Sequence, residues 1–349
     1  MSLLVTGSIA TDHLMSFPGR FADSLVVDQL DKLSVSFLVE DLEVRRGGCA
    51  ANICFGLGNL GLQPVLVGAV GEDFVDYRAW LERHHVDCQS VHVSDSKHTA
   101  RFVCTNDSTM AQIASFYAGA MSEAREIELK PIADRVGGAT YVLVGPNDPE
   151  AMLRHTQECR DRGYPFIADP SQQLAFGDGD MIRDLIDGAA ILFSNEYESA
   201  LIEKKTGWTA DEVRSRVGTW VITLGAEGVR VERDGEEPIV VAAVPEIQKV
   251  EPTGVGDAFR AGFLAAVDWG LSHERAAQVQ QRGHRQRPVA AHRPPRQRPR
   301  RTRARAKPAK RSPRQTRRST STSWRGPSRP AVVATTLGAV RRRDIIRRG

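Results

Sequence analysis

Residues 254–257 read Gly254-Val255-Gly256-Asp257, and an amphipathic stretch follows them. Glycine lets the backbone turn sharply and present successive N–H groups. A helix that begins here adds unpaired N–H donors and the positive end of its dipole. Such a loop can bind an anion beside a carboxylate. Phosphoryl transfer needs both parts, because donors stabilise the charge on the phosphate while a base receives the proton of the attacking hydroxyl. An ordinary glycine-rich loop capping a helix is the plain alternative.

A second glycine pair, Gly47-Gly48, comes four residues before Asn52. Paired glycines let the backbone approach a ligand closely. Asn52, near an expected helix start, offers both a donor and an acceptor. A turn followed by a helix cap would give the same pattern.

Asp12 follows the first apolar segment of the chain by a few residues, with Ser8 between them. A carboxylate at the carboxyl edge of a strand can accept hydrogen bonds from two neighbouring hydroxyls, such as those of a ribose. We therefore take Ser8, Asp12, Gly48 and Asn52 as candidate substrate-binding residues. A solvated loop aspartate is the alternative for Asp12.

Two further segments follow apolar segments that resemble buried strands. In the first, Asn195 and Glu198 are suited to hold a hard cation through its water ligands, although acids also favour a helix N-terminus. In the second, Thr223, Gly225 and Gly228 form a turn that could hold nucleotide phosphates.

Aromatic and amide side chains suggest a site for a base. Phe102 and Phe116 lie on half-exposed segments and could stack on a purine, or they could pack between strands or between subunits. Gln172 and Gln173 follow another strand-like segment and could bind an adenine edge, since an amide both donates and accepts.

These motifs resemble signatures of the PfkB, or ribokinase-like, family of sugar and nucleoside kinases. Residues 251–259, EPTGVGDAF, resemble the family's D-T-x-G-A-G-D-x-F signature, with Glu251 in place of Asp and Val255 in place of a small residue. GG-x-x-x-N at 47–52, NxxE at 195–198 and TxGxxG at 223–228 resemble further family motifs. Strings such as VTGSIATDHLM and DPSQQL are most similar to the actinobacterial type of adenosine kinase.

The resemblance covers about residues 1–270 and implies a function. It implies ATP-dependent phosphorylation of the 5′-hydroxyl of adenosine to AMP, a purine-salvage reaction. Asp257 would be the base, Gly254–Gly256 the anion hole, and Glu198 the residue that organises Mg²⁺ through water. Ribokinase, fructokinase or another nucleoside kinase are the alternatives within the family.

The apolar pattern predicts an α/β fold with a mostly parallel sheet covered on both faces. Buried strands are expected at 3–6, 65–69, 141–144, 166–168, 191–193 and 221–224, and helices at 73–84, 149–162 and 178–187. A hairpin at 229–233 and 238–241 closes the sheet. Ligands in such sheets bind beyond the carboxyl ends of the strands.

Three segments alternate polar and apolar residues, which predicts half-exposed strands: 33–40, 99–105 and 112–117. We expect them to form a small β lid over the ligand edge, built from discontinuous parts around 10–50 and 97–120. The string GLGNLG at 56–61 matches GxGxxG but ends a helical pattern, so we interpret Gly61 as a helix C-cap rather than part of a dinucleotide site.

Charge divides the chain at about residue 277. From residue 275 onward there are 24 Lys and Arg and one acid, whereas the first 274 residues carry 23 Lys and Arg and 42 acids. We therefore predict a kinase-like domain over 1–276 and a basic, Arg/Pro-rich tail over 277–349. The tail could be a nucleic-acid-binding arm, a disordered extension or an out-of-frame translation. We favour the last, because the change falls inside a helical pattern.

Five cysteines without a CxxC pair or zinc-like spacing indicate free thiols in a reducing compartment. The short apolar start, Leu3-Leu4-Val5, is too short for a signal peptide or a membrane span. We therefore expect a soluble cytoplasmic protein that binds ATP and a small molecule, with a possible homodimer through the lid strands. Activation by a monovalent cation such as K⁺ is left open.

Overall fold

The computed structural model describes residues 2–25, 31–32, 34–243 and 254–283. The tail from residue 284, and Glu251 of the glycine-rich signature, lie outside the described residues. In the described part of the chain the strands form one large and one small sheet.

The large sheet has nine strands within the described ranges, in the order β13-β12-β11-β10-β9-β8-β1-β4-β5. Its strands are β1 (Leu3–Thr6), β4 (Val65–Gly71), β5 (Val91–Ser94), β8 (Tyr141–Val144), β9 (Phe166–Ala168), β10 (Ile191–Asn195), β11 (Trp220–Thr223), β12 (Val229–Glu232) and β13 (Ile239–Val241). All neighbours pair in parallel except in the β11-β12-β13 hairpins, which are antiparallel. The predicted buried strands and the predicted hairpin are confirmed, and β5 was not predicted.

Helices cover both faces of this sheet. The helices within the described residues are α1 (Phe21–Ser24), α2 (Cys49–Asn59), α3 (Val75–Glu82), α4 (Leu129–Arg135), α5 (Pro149–Arg162), α6 (Gln173–Phe176), α7 (Gly179–Ile186), α8 (Glu196–Thr206), α9 (Ala210–Arg216), α10 (Val255–Asp268) and α11 (His273–Gly283). None of the helices in the described ranges is long and apolar enough to cross a membrane.

Two hydrophobic cores lie on opposite faces of the large sheet. Leu3 and Val5 of β1 face one core, which α2, α3 and α10 cover, and Leu4 faces the other, beneath α5 and α7. A parallel strand buried on both faces favours apolar residues on both sides, which is why β4 and the first three residues of β1 form apolar runs.

The small sheet contains four strands within the described residues, in the order β3-β2-β6-β7. These strands are β2 (Ala10–Ser16), β3 (Asp41–Gly47), β6 (Ala100–Asn106) and β7 (Gln112–Tyr117). The predicted lid strands at 99–105 and 112–117 are confirmed. The segments lie far apart in sequence, as expected of the lid.

The predicted strand at 33–40 is wrong. The described residues 34–40 alternate in exposure but form no strand, and the edge of β2 pairs instead with β3. Phe37 packs against the rings of Phe17 and Phe21, with centroid distances of 4.9 and 4.8 Å. The apolar residue at the centre of this segment is therefore half-buried by aromatic packing and not by strand pairing. β2 and β3 lie within the part around 10–50 that was expected to contribute to the lid, although no strand was predicted at either position.

Candidate active site

The glycine-rich loop ends in a helix, as predicted. Gly254 has φ of 80° at the N-cap of α10, a left-handed conformation that favours glycine. Asp257 lies in the first turn of the helix and is half-buried, whereas Val255 and Gly256 are exposed. The N-terminal turn therefore faces solvent and could receive an anion.

A second helix begins nearby, at the glycine pair of α2. Gly48 has φ of 93°, and a Cβ there would lie 2.5 Å from the carbonyl oxygen of Ser8. Only glycine fits this position, because the loop packs directly on the chain that links β1 to β2. The Ser8 hydroxyl accepts a hydrogen bond from the backbone N–H of Cys49 at 3.0 Å. Ser8 therefore caps α2 rather than pointing freely at a substrate.

The two helix starts meet through their polar side chains. The Asn52 amide Nδ2 donates to the Asp257 carboxylate Oδ2 at 2.9 Å, although 205 residues separate them in sequence. α2 and α10 pack side by side, so the contact is fixed by the helix pair. This hydrogen bond holds the carboxylate in one orientation at the mouth of the glycine-rich turn.

Burial raises the pKa of Asp257 to about 6, while the Asn52 hydrogen bond and the nearby charge of Arg260 act in the opposite direction. A carboxylate with such a pKa is ionised near neutral pH yet can accept a proton. General bases work best when their pKa lies near the working pH. Asp257 thus has the protonation behaviour that a base at this position requires.

An ion pair lies directly behind this carboxylate. The Arg260 guanidinium Nη2 donates to Asp169 Oδ1 at 2.7 Å, and its Nε also pairs with Oδ2. Both residues are buried, and the guanidinium lies 5.5 Å from the centroid of the Phe193 ring. Neither residue was predicted as a site residue. A basic residue inside the otherwise apolar face of α10 was the signal that could have found Arg260.

The lid sheet carries three predicted site residues on one face. Asp12 pairs with Phe102 across β2 and β6, and Phe102 pairs with Phe116 across β6 and β7. Cross-strand partners share a face of a sheet. The Asp12 carboxylate lies against Gly47, where a Cβ would come within 2.9 Å of Oδ2. The lid therefore presents a carboxylate and two aromatic rings together.

The two glutamines differ in their contacts. Gln173 donates through Nε2 to the Asn147 carbonyl oxygen at 2.9 Å, so this amide group is already bound to the backbone. Gln172 is exposed, one residue after Ser171, which has φ of 47°. Of the pair, Gln172 has the freer side chain for a ligand.

Asn195 and Glu198 form a reciprocal cap on α8. The Glu198 N–H donates to Asn195 Oδ1 at 2.7 Å, and the Asn195 N–H donates to Glu198 Oε2 at 2.8 Å. The contacts of Asn195 and Glu198 are therefore those of a helix cap, which was the alternative to a cation site. Burial raises the pKa of Glu198, with the Asp169 carboxylate adding to the effect.

The described residues contain no group of three or more His, Cys, Asp or Glu side chains that could hold a metal ion. A single carboxylate such as Glu198 still fits a Mg²⁺ that keeps most of its waters and binds substrate phosphates. The residues present therefore fit a water-mediated metal but not a site made by protein ligands alone.

The predicted nucleotide turn lies beside this cap. Thr223 pairs with Asn195 across β11 and β10, at the carboxyl ends of both strands. Gly225 and Gly228 follow with φ of 57° and 117°, and a Cβ on Gly228 would lie 2.0 Å from the Val241 carbonyl oxygen. A side chain at Gly228 would collide with the backbone of β13, so the turn requires glycine there. Thr223, before the turn, lies at the ligand edge of the sheet.

A mostly parallel sheet between two helical layers, a small β lid, and a carboxylate at a glycine-rich helix start together define a ribokinase-like kinase. The sequence matches the pfkB family of carbohydrate kinases over residues 12–281, and the chain belongs to that family.

Several relatives and solved structures are similar along most of the chain. A nucleoside kinase of Methanothermobacter thermautotrophicus is 31% identical over 268 residues, covering 76% of this chain and 82% of that protein. The Burkholderia thailandensis nucleoside kinase in complex with inosine aligns with a TM-score of 0.69 and 32% identity, over 80% of this chain and 89% of that one. A ribokinase of Haemophilus influenzae is 23% identical over 278 residues, covering 76% of this chain and 85% of that protein. The similarity supports a nucleoside kinase of the ribokinase family and does not single out adenosine kinases.

Proposed function

We propose that this protein phosphorylates the 5′-hydroxyl of a nucleoside with ATP, and that adenosine, converted to AMP, is its preferred substrate. The observation that carries the proposal is the Asn52–Asp257 hydrogen bond of 2.9 Å at the start of α10. This contact supports a role for Asp257, whose pKa is raised to about 6, as the base beside a glycine-rich turn suited to a phosphate.

The proposed reaction is a direct transfer. Asp12 and Asn52 bind the ribose, and Asp257 receives the proton of the 5′-hydroxyl as its oxygen bonds to the γ-phosphorus of ATP. The bond from that phosphorus to the β–γ bridging oxygen breaks, and ADP leaves. The N–H groups at Gly254–Gly256 stabilise the charge on the transferred phosphoryl group. Closure of the lid excludes water and so limits hydrolysis of ATP.

Mg²⁺ has a place in this proposal through Glu198. The carboxylate would hold a water of a Mg²⁺ that is bound to ATP, and Asn195, Thr223, Gly225 and Gly228 would contact the nucleotide. When bound, the ion neutralises charge on the phosphates.

The lid supports a nucleoside rather than a free sugar as the acceptor. Phe102 and Phe116 share the face that carries Asp12, so a base could stack on the rings while the ribose contacts the carboxylate. The inosine complex of the similar Burkholderia enzyme supports a purine nucleoside. Ribokinase or fructokinase activity is the alternative within the family.

The test is a comparison of kcat/KM for adenosine, inosine, cytidine, ribose and fructose, with ATP and Mg²⁺. Two parents are assayed: the full chain and a version continued in an alternative reading frame after residue 277. We expect adenosine to be preferred in the active parent. Equal or better kcat/KM with ribose would overturn the nucleoside assignment, and no transfer to any acceptor by either parent would overturn the kinase proposal. Running the assay in K⁺ and in Na⁺ decides the dependence on a monovalent cation.

We also propose that the lid forms a homodimer. Its other face exposes large apolar side chains, namely Leu42, Val44, Ile113 and Tyr117, each between 46 and 59% exposed. A second lid sheet would cover this face. Light scattering should give a dimer, and Ile113→Lys should give a monomer. A monomeric parent would contradict the proposal.

A function of another class is nucleic-acid binding through the basic tail, which lies outside the described residues. Such binding would weaken steeply with salt, whereas nucleoside phosphorylation requires ATP and Mg²⁺. The cytoplasm is the proposed location, and cell fractionation tests it.

A further inference from the structure

Gly256 is restricted by a side chain rather than by its backbone conformation. A Cβ at this position would lie 2.9 Å from Nη1 of Arg260. The guanidinium therefore lies against the backbone of the same turn that would bind the phosphoryl group. Because Arg260 is buried, the turn rests on a charged group held inside the protein.

The guanidinium has little freedom to move. Asp169 accepts a hydrogen bond from Nη2 with one carboxylate oxygen and forms an ion pair with Nε through the other. Asp169 is itself fixed by its N–H, which donates to the Val144 carbonyl oxygen at 3.0 Å. Val144 is the last residue of β8, and Asp169 follows the neighbouring strand β9, so both lie at the ligand edge. Bidentate arginine–carboxylate pairs fix orientation as well as charge. The sheet edge is thereby connected to the first turn of α10.

Several charged or titratable groups surround the same point. The charges near Asp257 are those of Arg260 on its own helix and of Asp169 after β9. Cys49 on α2 also hydrogen-bonds Asp257, and the pKa of this thiol is raised well above its usual range by burial. Tyr77 on α3 and Glu198 on α8 also belong to this group. Burial raises the pKa of both side chains; the charge of Asp257 adds to this effect on Tyr77, and the charge of Arg260 opposes it on Glu198.

We propose that Arg260, clamped by Asp169, is a positioning residue that holds the glycine-rich turn and keeps the Asp257 carboxylate ionised and correctly oriented. This proposal rests on the proposed nucleoside kinase function. Arg260 is buried, so its role is that of a positioning residue rather than of a group that contacts substrate. It acts through Gly256, whose missing side chain leaves room for the guanidinium, and through its charge beside Asp257.

Arg260→Gln and Arg260→Lys test the proposal, with Arg214→Gln as the matched control. Arg214 pairs with the buried Glu232 at 3.1 Å, and Glu232 lies opposite Trp220 at the amino end of β11, away from the site. The measurements are kcat and nucleoside KM from pH 5 to 9, together with the melting temperature.

We expect Arg260→Gln to lower kcat about tenfold or more, since a displaced catalytic group is costly, with KM nearly unchanged. Its acid limb should move up by about one pH unit or more, because a nearby opposite charge lowers a carboxyl pKa by about that amount. Arg260→Lys should return the limb to the parental pH but only part of the kcat, since an ammonium cannot replace the bidentate fork. Arg214→Gln should lower only the melting temperature.

The proposal would be overturned if the acid limb of the pH profile of Arg260→Gln stayed at the parental pH. It would also be overturned if Arg260→Gln, like Arg214→Gln, lowered only the melting temperature. Should Arg260→Gln fail to fold, a parental kcat in Arg260→Lys overturns it equally. A measurement of stability against pH, which requires no enzyme activity, tests the role of Arg260 independently of the proposed kinase function. Asp257→Asn should raise the free energy of unfolding, and this gain should shrink as pH falls through the pKa of Asp257. In the Arg260→Gln background the gain should shrink at a higher pH, because the pKa of Asp257 is higher there. An identical pH in both backgrounds contradicts the role of Arg260 even if the parent transfers no phosphate.

Discussion

Among single residues, the carboxylate of Asp257 matters most for the proposed reaction. It lies half-buried at a helix start, receives a hydrogen bond from Asn52 and is close to a buried guanidinium. Each contact favours a defined orientation, whereas burial opposes ionisation. The balance leaves a group that is charged at neutral pH and basic enough to accept a proton.

Asp257→Asn should lower kcat about 10²–10⁴-fold, the usual contribution of general base catalysis. The amide keeps the size of the side chain but cannot accept the proton, so nucleoside binding by calorimetry should be nearly unchanged. Asp268→Asn, the same substitution at the other end of α10, is the control and should retain activity. Activity of Asp257→Asn within threefold of the parent would remove this residue from the mechanism.

The pH dependence of kcat/KM should show the same carboxylate. Because burial raises the pKa of Asp257 to about 6, the base is ionised above that pH and protonated below it. We expect an acid limb centred near pH 6, falling tenfold per pH unit below it. A profile that stays flat down to pH 4.5 would contradict a base with this pKa.

The sequence indicated the residues that carry local motifs and missed those that do not. Asn52 and Asp257 could be chosen because glycines beside them suggest ligand-binding turns. Asp169 and Arg260 meet only in the folded chain, 91 residues apart in sequence. No local pattern predicts that contact, because it depends on how α10 packs over the sheet edge.

Among the elements, the buried parallel strands of the large sheet other than β5 were predicted because burial on both faces favours apolar runs. The lid was harder to predict, because a half-exposed strand alternates only weakly. Within residues 34–40, Phe37 packs against aromatic rings, and the segment forms no strand. No strand was predicted at β2, where four of the seven residues are polar, although the lid was expected to include parts around 10–50. The pairing of β2 with β3 depends on contacts that a local pattern does not contain.

The lid face gives a prediction about the base. Phe102→Ala should weaken adenosine binding by about 1–3 kcal/mol, the range for base stacking on aromatic side chains. Phe176→Ala is the control, because this ring is 83% exposed and lies outside the lid. Calorimetry with adenosine and with ribose measures both variants. An equal loss of affinity for ribose would show that Phe102 supports the lid and does not contact the base.

At the scale of the whole molecule, the described part of the chain ends in α11, which packs on α10 and buries Ala276 and Ala277. The sequence that follows is basic and has no carboxylate until Asp344. We expect a neighbouring reading frame, entered near codon 278, to encode an apolar helix soon after Ala277. A helix of that kind would cover apolar surface that otherwise promotes aggregation.

Reading the DNA of codons 275–285 in all three forward frames tests this expectation. The frame-corrected protein should be soluble and active, and the chain as written should be neither. If no frame encodes such a helix and the chain as written phosphorylates adenosine with ordinary stability, the tail is a genuine basic extension. A salt series of nucleic-acid affinity is then the next measurement.

In the proposed reaction, the γ-phosphoryl group of ATP is transferred to a nucleoside 5′-oxygen at the start of α10. Phosphorus NMR of the products from adenosine, ATP and Mg²⁺ tests it most directly, because the spectrum identifies the phosphorylated position. The account predicts AMP phosphorylated at the 5′ position, formed one for one with ADP and nearly abolished by Asp257→Asn. Formation of ADP and free phosphate without any nucleoside monophosphate, or AMP formation that is undiminished in Asp257→Asn, would contradict it.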